Sequence, residues 1–354
     1  MMQALPVELC QLIAQKQQGR DLCSLRALQL VSKQWRCAVQ HAVRELFLAH
    51  HKLQTPAHLE MLQRFCNVAQ VALDTATAGP ATEAIAVSGL QFAACLTTLE
   101  LGSLDFVYED TPEVIARLTG LPSLRFKFTR DTADPELDVQ PLLSLSGLRC
   151  LELRRAAVSD FGPFAAFTGL QTLTLQVILE DDSSLTPFAA LTGLQVLKLT
   201  STYVQDVMPL TNLSSLRDLD LSDTSVHDAT PLATMTNLLR LDLSGLPDVV
   251  FDVAGLTQLQ FLNLSGTRAR EVGTLAALTN LTRLDLHRTS VTDVQPLAAL
   301  TCLSTLNIGS TDVADIAALT ALCGLTSLGL GQLELLANIQ PLAALTALEC
   351  LNLT

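Results

Sequence analysis

Apolar residues recur along this chain in the order Leu-x-x-Leu-x-Leu at a nearly constant interval. Copies start at Val68, Leu96, Leu121, Leu148, Leu170, Leu194, Leu216, Leu238, Leu259, Leu281, Leu303, Leu325 and Leu348, which makes 13 units. From Leu148 onward the spacing is 21 to 24 residues; before it the spacing is 25 to 28, so the early units carry longer outer segments. Within a unit the last leucines alternate with polar residues, as in Leu284-Asp285-Leu286, which is the period of a strand with one buried face. Such a strand cannot bury its apolar side alone. Stacked at a fixed interval, these strands form a parallel sheet over a continuous core.

The second half of each unit predicts a different element. After the strand at Leu284–Leu286, Pro296 opens the run Pro-Leu-Ala-Ala-Leu. Proline blocks strand continuation, and the run is too short for an independent helix, so a 3₁₀ turn or a single α turn is expected.

These units resemble the leucine-rich-repeat family, closest to its short 22-residue class seen in internalin-like and phosphatase-regulating repeat proteins. The resemblance covers roughly residues 67–354 and implies an α/β right-handed solenoid, with the parallel sheet on the concave face and short turns on the convex face. Thr202, Thr224, Thr267, Thr289 and Thr311 stand where that family often has Asn. A hydroxyl has fewer donors than an amide, so a working but weaker ladder between repeats is expected.

Strand positions between the leucines are expected to face the concave side. One column reads Glu100, Arg125, Glu152, Thr174, Lys198, Asp220, Asp242, Asn263, Asp285, Asn307, Gly329 and Asn352. Lys127, Arg154, Arg155, Asp218, Asp223, Arg240, Arg283, His287 and Arg288 are read as nearby face positions. The candidate partner-binding set is Arg125, Lys127, Arg154, Arg155, Lys198, Asp218, Asp220, Asp242, Arg283, Asp285, His287 and Arg288. The early repeats present Arg125, Lys127, Arg154, Arg155 and Lys198, and the middle repeats Asp218, Asp220, Asp223 and Asp242. This suggests a bipolar surface for a partner of complementary charge; ordinary decoration of the repeat is the competing reading.

Residues 1–66 do not fit the repeat and read as helices. Leu5, Leu9, Leu12 and Ile13 share one helical face, and Pro6 fits the first turn. Gly19 breaks the pattern and Asp21 can cap the next helix. Leu22, Leu25, Leu28 and Val31 continue the apolar face, and Val39, Val43 and Leu46 extend a third stripe.

The residue order of this segment resembles the F-box family over about Leu5 to Leu48. The resemblance rests on Leu5-Pro6-Val7-Glu8-Leu9, Ile13, Asp21-Leu22 and Val31-Ser32-Lys33-Gln34-Trp35-Arg36. Ala14, Gln17 and a longer stretch from Asp21 to Val31 depart from it. The resemblance implies a substrate-recognition subunit of a cullin–RING ubiquitin ligase, docked on a Skp-type adaptor. Leu5, Pro6, Leu9, Ile13, Leu22, Leu25, Val31 and Trp35 would form the docking surface or the small core behind it. The implied organisation is an F-box-like helical domain over 1–48, a helical linker or cap over 49–66 and the repeats over 67–354. The alternative is a regulatory scaffold whose N-terminal helices only cap the solenoid.

Composition narrows the classes. Aromatics are only 4% of the 354 residues, a repeat-like composition. The net charge is −13, divided as +4 over residues 1–66 and −17 over the rest. An acidic solenoid is a poor nucleic-acid binder. Nine cysteines, none in a Cys-x-x-Cys pair, read as free thiols in a reducing compartment. Pro6, Glu8, Gln11 and Gln15 interrupt any signal-peptide core, and no run of about 18 apolar residues exists. A cytoplasmic or nuclear location is expected, with no membrane partner. The four Asn-Leu-Ser/Thr triplets at Asn212, Asn263, Asn280 and Asn352 arise from the repeat itself. The chain stops inside a strand at Leu351-Asn352-Leu353-Thr354, so truncation or a covering partner is expected there.

Catalytic patterns are absent. His41, His50, His51 and His58 lack the Cys or carboxylate spacing of a zinc site. There is no Gly-rich phosphate loop, no Gly-x-Ser-x-Gly and no His-Glu-x-x-His. The expectation is a binding protein with no enzyme activity and no cofactor.

Overall fold

The computed structural model describes residues 45–49, 70–74, 96–102, 118–127, 139–158, 160–178 and 184–353. They fall into two compact units, Met1–Pro135 and Glu136–Thr354. The first holds four strands: β1 (Glu45–Ala49), β2 (Gln70–Asp74), β3 (Thr98–Gly102) and β4 (Ser123–Lys127). They pair in parallel and in sequence order, with Leu46 opposite Val71, Val71 opposite Leu99 and Leu99 opposite Leu124.

Strand β1 corrects one expectation. Leu46 was expected on a helical stripe, whereas Glu45–Ala49 is extended and pairs with β2. Leu46-Phe47-Leu48 is a short apolar run that serves either period, and the neighbouring strand decides between them. The adaptor-docking candidates, Leu5, Pro6, Leu9, Ile13, Leu22, Leu25, Val31 and Trp35, lie outside the described residues.

The second unit holds ten strands: β5 (Cys150–Ala157), β6 (Thr172–Ile178), β7 (Val196–Lys198), β8 (Asp218–Asp220), β9 (Arg240–Asp242), β10 (Phe261–Asn263), β11 (Arg283–Asp285), β12 (Thr305–Asn307), β13 (Ser327–Gly329) and β14 (Cys350–Asn352). Each pairs in parallel with the next, and the central leucines stay in register from Leu197 through Leu219, Leu241, Leu262, Leu284, Leu306 and Leu328 to Leu351. The thirteen motif copies coincide with β2–β14. Leu197, Leu219, Leu241, Leu262 and Leu284 have no exposed surface, while the flanking positions of β7, β8 and β10 are half-buried.

Nine described 3₁₀ turns lie between these strands, from Gln140–Ser144 to Gln340–Ala344. Seven begin with proline, as anticipated from Pro296. A second device is less obvious in the sequence. The carboxylates of Asp206, Asp228, Asp252, Asp293 and Asp315 each accept the amide two residues ahead, at 2.8 to 3.0 Å. This satisfies an amide that the first turn leaves without a partner. The turns return apolar side chains to the core. In the early repeats these are Phe164 and Phe188, both fully buried, with ring centroids 5.5 Å apart. From Leu210 onward leucine fills the same position.

The threonines behave differently from expectation. Thr202, Thr224, Thr267, Thr289 and Thr311 are all buried. Each hydroxyl donates to the carbonyl three residues back, Leu199, Leu221, Leu264, Leu286 and Ile308 respectively, at 2.7 to 2.8 Å. These bonds close a turn within one repeat and do not link repeats, because each hydroxyl is turned onto a carbonyl of its own coil. Between repeats, backbone amides do that work, as in Leu264 N to Asp285 O and Leu286 N to Asn307 O.

Candidate functional site

Because the leucine at the centre of each short strand points inward, the two residues beside it face outward. Backbone register aligns these residues into columns. One column runs Asp218, Arg240, Phe261, Arg283, Thr305 and Ser327. The other runs Lys198, Asp220, Asp242, Asn263, Asp285, Asn307, Gly329 and Asn352.

The second column is held rigid by its own backbone. The Oδ1 atoms of Asp220, Asp242, Asn263, Asp285 and Asn307 each accept the amide two residues on, at 2.9 to 3.2 Å. Ser222 and Ser244 add hydroxyl donors to Asp220 and Asp242. With one side-chain atom fixed, the other is aimed along the column. Asn263 donates to Asp242 Oδ2 at 3.0 Å and Asn307 to Asp285 Oδ2 at 3.4 Å. The side-chain ladder between repeats therefore lies on the sheet face, not at the threonines. The column is legible in the sequence but its coupling is not; the signal is an Asp or Asn followed two residues later by Ser at Asp220, Asp242 and Asn263, which Asp285 and Asn307 lack.

Charges in the first column are partly answered. Arg240 lies 3.4 Å from Asp218 and its guanidinium sits 4.2 Å over the Phe261 ring. Burial raises the Asp218 carboxyl above its ordinary value; Lys198 and Arg240 oppose this, while Asp220 and Asp242 add to it. The guanidinium of Arg283, one rung beyond Phe261, makes no hydrogen bond or ion pair with any described residue. Between Phe261 and Asn352 the face sinks into a depression of about 440 Å³.

Of the residues singled out from sequence, Lys198, Asp218, Asp220, Asp242, Arg283 and Asp285 occupy outward strand positions. His287 follows β11 and donates its amide to Asp285. Arg125 and Lys127 belong to β4 of the first unit. Arg154 donates to Glu152, so its charge is already engaged. Arg155, Asp223 and Arg288 are corrected. They occupy left-handed turn positions with φ of 59°, 55° and 55°, which recur once per repeat at Ser201, Gly245, Gly266, Ser310 and Gln332. For Asp223 and Arg288 this kink lies three residues past the end of the strand, and for Arg155 it falls inside β5 at the register shift between Arg154 and Ala156, so none of the three continues the regular strand alternation.

Among the described residues no group of three or more His, Cys, Asp or Glu could hold a metal ion. Cys150, Cys302, Cys323 and Cys350 are free thiols, the last three exposed. No described helix is long and apolar enough to cross a membrane.

The structure is similar to a crystal structure of an internalin, InlF, from Listeria monocytogenes, with a TM-score of 0.67, 23% identity and 93% of each chain covered. The fold is that of the leucine-rich-repeat proteins. A leucine-rich-repeat protein of Leptospira interrogans matches with a TM-score of 0.57 and 19% identity over 85% of this chain and 87% of that one. The TLR13–ssRNA13 complex matches with a TM-score of 0.63 and 17% identity over 92% of this chain and 52% of that one. No family model and no curated protein matches the sequence. At these identities the leucine-rich-repeat likeness speaks for the fold alone.

Proposed function

We propose that this chain is a non-enzymatic protein-binding scaffold and that the outward sheet face of β7–β14 holds the partner. The observation that carries this reading is the clamped column of Asp220, Asp242, Asn263, Asp285 and Asn307. Side chains whose rotamers are already fixed lose less entropy when a partner docks. The TLR13 structure contains single-stranded RNA. Here the net charge of −13 works against a phosphate backbone and favours protein as the partner class. The test is capture of partners by cross-linking, comparing the native chain with Asp220→Lys/Asp242→Lys. Loss of the captured set is expected; full retention by the folded variant would remove the face from consideration.

The finer reading is that the scaffold is the substrate receptor of a cullin–RING ubiquitin ligase, acting in the cytoplasm or nucleus. It is supported by the F-box-like order Leu5-Pro6-Val7-Glu8-Leu9 and Val31-Ser32-Lys33-Gln34-Trp35-Arg36. Such a receptor contributes positioning, raising the effective concentration of a target lysine near the loaded enzyme. Co-expression with a Skp-type adaptor tests it. The native chain should co-purify stoichiometrically and Leu5→Ala/Trp35→Ala should not. A folded native chain that ignores the adaptor would leave the N-terminal segment as a cap and the scaffold reading intact. Truncation at residue 49 is a poor control, because it removes β1.

A further inference from the structure

The depression over β10–β14 owes its shape to one missing side chain. Gly329 is the only residue of the column from Lys198 to Asn352 without a Cβ. A Cβ there would lie 2.4 Å from Asn307 Oδ1, so Asn307 leans over the space the glycine leaves. Thr305 and Ser327, small residues, form the adjacent rungs of the first column.

The polar groups lining this depression are unequally engaged. Asp285 is occupied at both oxygens, by the His287 amide at 2.9 Å and by Asn307 at 3.4 Å. Asn307 Oδ1 accepts the Gly309 amide at 3.2 Å. The guanidinium of Arg283 and the hydroxyls of Thr305 and Ser327 have no partner among the described residues. They occupy three successive rungs, with Arg283 opposite Thr305 and Thr305 opposite Ser327. The unanswered chemistry of the depression is therefore a line of donors that begins with a full positive charge. Arg240 supplies the contrast, since Asp218 answers its charge and Phe261 its face.

We propose that this depression receives an extended peptide segment of a partner protein, with a single Asp or Glu side chain seated on Arg283 and an apolar neighbour against Phe261. The proposal rests on the protein-binding reading and names the chemistry of the partner. A guanidinium takes a carboxylate through two parallel hydrogen bonds. Rungs lie about 4.8 Å apart and an extended peptide advances about 3.3 Å per residue, so two rungs span about three residues. The peptide carbonyls that follow the acid then meet the Thr305 and Ser327 hydroxyls. The neighbouring column, with Asp220, Asp242 and Asp285, repels further acids. The recognised feature is one carboxylate in an otherwise neutral or basic stretch, not an acidic run.

The test uses the full chain and an array of nonapeptides with Glu, Gln or Lys at the centre, degenerate flanks, and a fourth set carrying three consecutive Glu. Affinities are read by fluorescence polarisation. The best single-Glu peptide should bind about tenfold more tightly than its Gln twin. Arg283→Gln should erase that preference, and Gly329→Ala, whose methyl would press on Asn307 without changing charge, should weaken both twins. Arg288→Gln, at the exposed turn beyond β11, should leave the preference unchanged. Equal binding of Glu and Gln twins, a preference for Lys or for consecutive acids, or a Glu preference that survives Arg283→Gln would each overturn the proposal. Binding that ignores Arg283 but is lost in Asp220→Lys/Asp242→Lys would overturn the carboxylate site and keep the face as the binding surface. An array with no binder overturns the site, and loss of the cross-linked partners in the aspartate variant then decides separately whether the face binds anything.

Discussion

Asn263 Nδ2 donates to Asp242 Oδ2 at 3.0 Å across the gap between β9 and β10. The bond links two repeats through side chains whose other oxygen is already held by its own backbone. Asn263→Asp keeps the shape and sets three carboxylates, Asp242, residue 263 and Asp285, on successive rungs. The expected loss is up to about 1 kcal/mol at neutral pH, larger at low salt because exposed charges are then less screened. Urea denaturation at two ionic strengths measures it; a loss that does not depend on salt would point to packing.

Thr289 is buried, and its hydroxyl donates to the Leu286 carbonyl at 2.7 Å. Thr289→Val preserves volume and leaves that carbonyl without its partner. A cost of about 1–3 kcal/mol is expected. Because each repeat contacts only its neighbours, amide exchange should quicken first in the repeats around β11. Uniform change along the unit would contradict the local account.

Gly266 has φ of +70° at the once-per-repeat left-handed position. An added Cβ would find its nearest atoms at 3.5 Å, an ordinary contact, so Gly266→Ala carries only the conformational cost of about 1–2 kcal/mol. Ser310, with φ of +54°, tests the converse. In Ser310→Gly the relief of strain is opposed by the freer unfolded chain and by loss of the exposed Ser310–Gln332 hydrogen bond, and stability should change by no more than about 1 kcal/mol. Thermal or denaturant melts of the two variants check the pair.

Asp218 and Asp228 should respond to pH in opposite directions. Burial raises Asp218, so the native state holds that proton more tightly and stability falls as pH rises through the carboxylate range. The Thr230 hydroxyl and amide lower Asp228. Its contribution is present above the ordinary carboxylate value of about 3.9 and is lost as pH falls through the lower folded value. Between about pH 3 and about pH 7, Asp218→Asn should gain in Tm relative to the native chain and Asp228→Asn should lose. The same sign for both variants would refute the assignment.

The strand positions of β2–β14 were readable from the sequence alone. A period-2 pattern of leucines admits one inward face, and repetition multiplies that signal. The turn at Pro296 was equally plain, because proline removes a donor wherever it stands. Local chemistry of this kind is written into consecutive residues. What the tertiary structure decided depends on residues a whole repeat apart. Leu46 became part of a strand because β2 lies beside it. The thirteen copies gave a column containing Asp242 and Asn263, but only the clamped geometry of successive coils turned that column into a ladder. The threonines point inward and bond their own repeat, a direction set by the left-handed residue before each of them. Asp223 and Arg288 lie past their strands at that same kink, while Arg155 sits at an irregularity inside β5. Arg283 differs from Arg240 in nothing the sequence pattern shows, since both stand before Leu-Asp. The neighbours on adjacent rungs, Asp218 and Phe261 for one and Thr305 for the other, determine which guanidinium is left unanswered.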